Sequence, residues 1–313
     1  MLRIVFMGTP RFAEVVLKGL IDHGHEVVLV VTQPDKPVGR KRVLQPSPVK
    51  RLALAHGIGI HQPERLSKDY ERVLVADPDL IVTAAYGQML PKALLDRVTA
   101  LNVHASLLPE FRGGAPIQHA LFDGRKETGV TIMFMAYAMD QGDIIRQARL
   151  PIADDDDYGS LSERLSQLGT ELLLGVLKDF EAGSIERHPQ DHERATYALT
   201  IKFQDEFLHF EDPTRRLINR VRGLSPTPGA HAYVNGVRIK IYGLKASDYE
   251  THGERPGTIL SLDRRLVIRT KDGAVEVTKI QVPGKKKMDI RSFLNGQNLL
   301  KAGDIFARKE GTT

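Results

Sequence analysis

The 313-residue chain contains no cysteine. That absence removes disulfides, thiolate metal ligands and thiol nucleophiles together, so any chemistry rests on His, Asp, Asn, Ser or Lys. No apolar run reaches the length of about 18 residues needed to span a bilayer. The amino terminus, MLRIVFMGTP, reads as a buried strand with neither a basic leader nor a cleavage site, and a soluble, cytoplasmic protein is the expectation. Nucleotide signatures are missing too. The first strand ends in GTPRFA, without GxGxxG spacing, so NAD is not expected despite an α/β pattern. No P-loop, GxSxG or HExxH sequence occurs, which removes the usual marks of NTP hydrolysis, serine acylation and zinc hydrolysis; no metal is expected.

What is present begins with length and charge. The chain is long for one domain and comfortable for two. Its net charge of +5 is uneven: residues 1–206 hold 24 Lys/Arg against 28 Asp/Glu, whereas residues 207–313 hold 20 against 11. The last third therefore carries a net +9, which suggests a polyanionic partner, although a basic surface can also serve solubility alone.

Short β-branched runs alternate with amphipathic stretches over roughly the first 185 residues. Strands are predicted at 3–8, 26–32, 79–85, 100–104, 129–135 and 143–152, and helices at 11–22, 47–56, 64–75, 91–97, 115–123 and 159–181. The early strands are almost continuously apolar, as strands covered on both faces are, so the expected fold is α/β with a doubly wound, mostly parallel sheet. A polar stretch, ERHPQDHERATYALTIKFQDE, then reads as a linker. After it come one helix, 212–224, and five short strands with hairpin signals at Asn235–Gly236 and Asp272–Gly273, which predict a small antiparallel β-barrel of the oligonucleotide-binding (OB-like) type. The expected organisation is a domain over 1–188, a linker over 189–206 and a basic barrel over 207–313.

The most informative segment is LNVHASLLPEFRGGAPIQ, residues 101–118. Strand alternation in LNVH sends Asn102 and His104 to one face and Leu101 and Val103 to the other. A glycine-rich turn and a helix follow, the setting in which open α/β sheets build active sites. Further on, MDQGDI supplies Asp140, and Ser106 lies close to the pair. An Asn amide and an imidazolium can donate hydrogen bonds to a carbonyl oxygen that becomes negative, while a nearby carboxylate receives a proton from an attacking amine. That set fits direct acyl transfer without a covalent intermediate. It fits equally a hydrolase in which water replaces the amine, and, taken alone, an Asn that caps a turn beside a satisfied interior His.

These segments, together with FMGTPRFA, TQPDKPVGR…PSPVK and AAYGQMLP, closely resemble the methionyl-tRNA formyltransferases of bacteria and organelles, in the family's own order. The resemblance implies an enzyme of translation initiation that moves a formyl group from 10-formyltetrahydrofolate to the α-amino group of methionyl initiator tRNA. It places Asn102, His104 and Asp140 at the catalytic positions. For the folate it implies main-chain contacts around Gly87, Gln88, Met89, Leu90 and Gly142, with the turn Ser106, Leu107, Leu108 and Pro109 beside them. For tRNA it implies Arg40, Lys41 and Arg42 of the basic loop. Arg215, Arg216 and Arg220 of the 212–224 helix and Lys285, Lys286 and Lys287 are further candidates in the basic domain. A monomer, with no membrane association, is expected. Thr200, Phe210 and Thr227 stand where relatives usually carry a Lys, a Trp and an aromatic residue.

Two other functions compete. A formyltransferase acting on a nucleotide-linked amino sugar would share the 101–140 chemistry but would have little use for a net +9 domain. A nucleic-acid-binding module on an inactive α/β scaffold would need no Asn/His/Asp set. The charge asymmetry makes a direct prediction: affinity for tRNA falls steeply between low and physiological salt, because each neutralised phosphate releases counterions. Binding measured by filter retention that is indifferent to salt would remove the basic third as a tRNA surface.

Overall fold

Apolar runs with almost no polar interruption form the inner strands, because helices cover both faces of their sheet. The computed structural model describes residues 1–38, 43–296 and 298–307. In chain order the first part contains β1 (Arg3–Gly8), α1 (Arg11–Asp22), β2 (Glu26–Val31), the hairpin arms β3 (Lys36–Val38) and β4 (Val43–Gln45), α2 (Pro48–Ala55), β5 (Ile60–His61), α3 (Glu71–Val75), β6 (Leu80–Ala84), α4 (Lys92–Leu95) and β7 (Ala100–His104). Then follow α5 (Pro116–Phe122), β8 (Glu127–Phe134), β9 (Ile144–Pro151) and α6 (Tyr158–Glu181). Their seven-stranded sheet has the order β5-β2-β1-β6-β7-β8-β9. β5, β2, β1, β6 and β7 pair in parallel, and β8 and β9 add antiparallel.

Helix starts and faces follow from local sequence. α2 opens on Ser47, whose hydroxyl accepts the Lys50 N–H at 3.0 Å, with Pro48 in the first turn. α1 buries Phe12, Ala13, Val16, Leu17 and Leu20, a stripe at helical spacing. The helix predicted over 64–75 is broken instead. Gln88 captures the Leu66 N–H at 2.8 Å, and a single 3-10 turn, Leu66–Lys68, precedes the short α3.

The chain forms two compact units, one of Met1–Pro116, Glu127–Ile152 and Leu161–Leu199, the other of Ile117–Lys126, Ala153–Ser160 and the chain from Thr200. Much of the stretch predicted as a linker over 189–206 lies against the first unit. Its Thr196 carbonyl accepts the Arg112 N–H at 2.8 Å, the Ala198 N–H returns to the Arg112 carbonyl at 2.7 Å, and Ala198 is fully buried. Most of its side chains are exposed, in keeping with the polar composition, while Gln190 and Ala198 are buried.

The second unit contains α7 (Thr214–Leu224), β10 (Ala230–Val234), β11 (Val237–Ser247), β12 (Ile259–Ser261), β13 (Leu266–Arg269), β14 (Ala274–Gln281), β15 (Met288–Asp289) and α8 (Ile290–Leu294). The antiparallel sheet runs β10-β11-β14-β13-β12, with β15 on β14. Asn235 and Gly236 both have positive φ, +49° and +74°, as a tight two-residue hairpin turn requires. Asp272–Gly273 lies in the predicted hairpin turn, between the antiparallel β13 and β14, and the Asp272 carboxylate also accepts the N–H and hydroxyl of Thr214, both at 2.8 Å, at the start of α7. β10 and β12 are the open edges, and residues 305–307 bridge them, pairing Ala307 with Tyr233 and Ile305 with Thr258. Leu217, Val221 and Leu224 of α7 belong to the barrel core with Ile239, Ile241, Val275, Val277 and Ile280. Phe210 is buried in the same core, its ring 5.7 Å from that of Phe306.

His231 of β10 is buried beneath Phe203, with which it stacks at 4.9 Å, and its Nδ1 lies 3.7 Å from the Glu206 carboxylate. Burial first, then the charges of Arg238 and Lys240, push its pKa down to about 4. The folded state therefore holds this imidazole neutral while the unfolded chain, with the ordinary value of about 6.5, takes up a proton. Its contribution to stability is complete above that value and is lost as pH falls toward 4. Glu206, whose carboxyl is raised by burial, acts in the opposite sense. In His231→Phe, which keeps a ring beneath Phe203, the fall in melting temperature between pH 6.5 and 4 should be smaller than in the wild type; an equal fall would count against this account.

Candidate active site

β7 is the strand at which the sheet changes from parallel to antiparallel pairing, with β6 on one side and β8 on the other. Leu101 and Val103 are buried, Val103 beneath α6, where Gly169 permits close approach: a Cβ there would stand 2.8 Å from Val103 Cγ1. The alternation then turns Asn102 and His104 the other way. Thr83 of β6 is the register partner of Asn102, and its hydroxyl lies 2.8 Å from Asn102 Oδ1. With that bond made, the Asn102 amide presents its Nδ2 hydrogens as free donors.

His104 is 5% exposed, and its Nε2 lies 3.0 Å from the Phe111 carbonyl oxygen. A carbonyl can only accept, so Nε2 carries a proton and donates it there, which makes Nδ1 the nitrogen available for proton exchange. Nδ1 stands 3.8 Å from Asp140 Oδ2. The predicted trio is thus brought together in part: His104 faces Asp140, and Asn102 sits two residues earlier on the same strand face.

Asp140 occupies the left-handed region, φ +51°, and its Oδ2 accepts the Gly113 N–H at 2.7 Å. Gly113 has φ +119°, and a Cβ on it would lie 2.6 Å from the Ala198 carbonyl, so both its conformation and its surroundings demand glycine. Gly142 is equally constrained, its Cβ direction pointing at the Phe134 carbonyl 1.8 Å away. The Asp140 and Gly142 carbonyls both accept from Gln190 Nε2, at 2.9 and 2.7 Å. Gln190 in turn receives two N–H groups of Arg112 on its Oε1, at 3.1 and 2.6 Å.

The turn after β7 is held from β8 and β9. Thr131 donates its hydroxyl to the Ser106 carbonyl at 2.7 Å and accepts the Leu108 N–H at 3.1 Å; Gln147 donates to the Leu108 carbonyl at 2.8 Å. Ser106 is fully buried and its hydroxyl donates to the Glu110 carbonyl at 2.7 Å. Both main-chain groups of Leu108 are therefore occupied within the protein, and the Ser106 hydroxyl is engaged within the turn. In the segment after β6, Gly87 has φ +84°, Gln88 is engaged with Leu66, Pro63 and Glu64, Met89 is 49% exposed and Leu90 is buried. Leu107 and Pro109 are half-buried.

Of the tRNA candidates, Arg40, Lys41 and Arg42 lie outside the described residues. Arg215 and Arg216 are exposed on α7, near Asp154 at 3.5 Å and Asp212 at 3.4 Å. Lys285, Lys286 and Lys287 are exposed between β14 and β15, and Lys287 Nζ stands 4.8 Å from the centroid of the Tyr242 ring. Arg220 differs from expectation. Its guanidinium lies 4.5 Å over the Phe122 ring and donates to the Asp205 carbonyl, so it braces the second unit. Sequence reasoning missed Thr83, Arg112, Thr131, Gln147 and Gln190. The available signal was one polar residue inside an apolar strand, as in LIVTA and GVTIMF. Among the described residues no group of His, Asp or Glu could hold a metal ion, and no helix is long and apolar enough to cross a membrane.

Comparison with known proteins assigns both units. The formyl transferase profile matches residues 2–177, and the profile of the formyl transferase C-terminal domain matches residues 200–298. The methionyl-tRNA formyltransferase of Listeria innocua is 48% identical over 301 residues, covering 95% of this chain and 96% of its own. That of Bacillus subtilis is 47% identical over 311 residues, covering 97% and 98%. Among solved structures, HypX from Aquifex aeolicus in complex with tetrahydrofolic acid superposes with a TM-score of 0.67 at 20% identity; it covers 99% of this chain, which spans only 51% of HypX. WlaRD, a sugar 3N-formyl transferase, superposes with a TM-score of 0.66 at 17% identity over 91% of this chain and 99% of its own. These two likenesses speak for the fold, whereas near-full-length identity and two matched domains settle the family: the chain belongs to the formyl transferases, among the methionyl-tRNA formyltransferases.

Proposed function

We propose that the protein transfers the formyl group of 10-formyltetrahydrofolate to the α-amino group of methionyl initiator tRNA. The observation that carries this reading is the facing of His104 Nδ1 and Asp140 Oδ2 on the Asn102 face of β7, in a chain nearly half identical end to end to the methionyl-tRNA formyltransferases. Asn102 Nδ2 and a protonated His104 Nδ1 are the donors for the formyl oxygen as it takes up negative charge. Asp140 receives the proton lost by the attacking amine. The new amide C–N bond forms as the bond to N10 of the folate breaks, and N10 leaves with a proton, so charge and protons balance without a covalent enzyme intermediate. The engagement of the Ser106 hydroxyl with the Glu110 carbonyl and the lack of cysteine support direct transfer.

The folate is proposed to lie against main chain from Gly87 to Leu90 and from Asp140 to Gly142, and the tRNA against exposed cations of the second unit, Arg215, Arg216 and Lys285 to Lys287, with Arg40, Lys41 and Arg42. The boundaries 1–188 for the folate-binding catalytic domain and 207–313 for the tRNA-binding domain belong to the same proposal, as do a monomeric state and a cytoplasmic location. A nucleotide-linked amino sugar as acceptor would leave the net +9 of residues 207–313 without a purpose.

The test is transfer of labelled formyl from the folate to charged initiator tRNA, with free methionine and an amino-sugar nucleotide as alternative acceptors. His104→Ala and Asp140→Asn should each lower turnover by about a hundred- to a thousand-fold, the usual cost of losing one charge-stabilising or proton-handling group, with melting temperatures retained. Near-normal formylation by His104→Ala would sink the assignment.

A further inference from the structure

Arg112 is among the largest fully buried side chains of the protein, at 1% exposure, and it is not one of the three groups assigned to the reaction. Its Nε and Nη2 both donate to the single oxygen Oε1 of Gln190, and Nη2 also lies 2.9 Å from His192 Nδ1. A guanidinium taken out of water is costly unless its hydrogens are matched, so a buried pair of this kind is retained where its geometry matters. Gln190 is 7% exposed, and both ends of its amide are engaged: the oxygen receives Arg112, while Nε2 donates to the carbonyls of Asp140 and Gly142. The amide cannot flip without presenting its NH2 group to the guanidinium and its oxygen to two carbonyls. Arg112 thereby fixes the orientation of Gln190, and Gln190 fixes the turn Asp140–Gly142.

The same turn needs holding. Asp140 sits in a left-handed conformation that carries a strain cost for a residue with a Cβ, and among the described residues the Gly113 N–H is the donor that grips its carboxylate. Gly113 is the residue after Arg112, whose own backbone pairs with Thr196 and Ala198. The Arg112–Gly113 segment therefore holds Asp140 twice, through the main chain of Gly113 at the carboxylate and through the Arg112 side chain and Gln190 at the backbone.

We propose that Arg112 and Gln190 are positioning residues for proton transfer: they keep the Asp140 carboxylate opposite His104 Nδ1. This inference rests on the reading of Asp140 and His104 given above. Two variants separate positioning from plain structural support. Gln190→Glu keeps an acceptor for Arg112 but removes the donors to the two carbonyls; Gln190→Met removes both ends of the link at similar length. In each, kcat for formyl transfer should fall tenfold or more. KM for the folate and for methionyl-tRNA should stay within about twofold, and the acid limb of the pH–rate profile should move. In the nuclear magnetic resonance titration of the free protein, the His104 ring signal should shift its midpoint.

Wild-type kcat, pH profile and His104 titration in a folded Gln190→Glu would overturn the proposal. So would loss of cooperative melting in both variants, which would make the link a folding element. The His104 titration needs no substrate. A wild type that transfers no formyl group would defeat the functional reading, while the titration would still test the link between Gln190 and the His104–Asp140 pair.

Discussion

A carboxylate held against an imidazole must be gripped by donors it cannot lose, and here the grip is a backbone N–H. The Gly113 hydrogen bond to Asp140 Oδ2 joins the turn after β7 to the turn between β8 and β9, so the site exists only when the mixed sheet has its final register. Because the donor is main chain, no side-chain substitution removes it, and because Gly113 has no room for a Cβ, the donor cannot drift. Thr83, Phe111 and Thr131 act in the same manner on Asn102, His104 and the intervening turn. Each of the three side chains proposed for the reaction has one end tied to the scaffold. Such fixed dipoles need no reorganisation as charge develops, which is where their catalytic value lies.

Much of this was legible in the chain itself, for identifiable reasons. The apolar runs of β1, β6 and β7 carry their own burial, and the period of two in LNVH places Asn102 and His104 on one face without any knowledge of the sheet. Asp140 was legible through its resemblance to a known motif, since nothing in local pattern says that a residue 36 positions away folds back onto His104. What escaped shares a physical cause: the partner of each such group is distant in sequence. Arg220 reads as a solvated cation on an amphipathic helix until Phe122 and Asp205 arrive beside it. Asp272–Gly273 forms the hairpin turn its composition announces, but the bond of its carboxylate to Thr214 at the start of α7 was invisible in the sequence. The polar stretch after α6 looks like a linker because most of its side chains do face water; what the composition hides is the main-chain pairing of Thr196 and Ala198 with Arg112.

The two units divide the work along physical lines. The first concentrates hydrogen-bonded polar groups at the end of one strand and surrounds them with a nearly dry core. The second carries Arg215, Arg216 and Lys285 to Lys287 on the outside, over a barrel core beside which burial keeps His231 neutral. On the proposed division, reaction chemistry and polyanion attraction make conflicting demands on dielectric, one wanting water excluded and the other wanting cations hydrated and accessible. Separate cores let each be met.

The bridge formed by residues 305–307 bears on how the barrel comes into being. Until those residues arrive, β10 and β12 are unpaired edges, each a template to which another extended chain can add. A nascent chain that has emerged only as far as β15 therefore displays two adhesive borders. The second unit is a ring clasped by residues 305–307, and loss of those three residues would leave a sticky open sheet rather than a slightly shortened barrel.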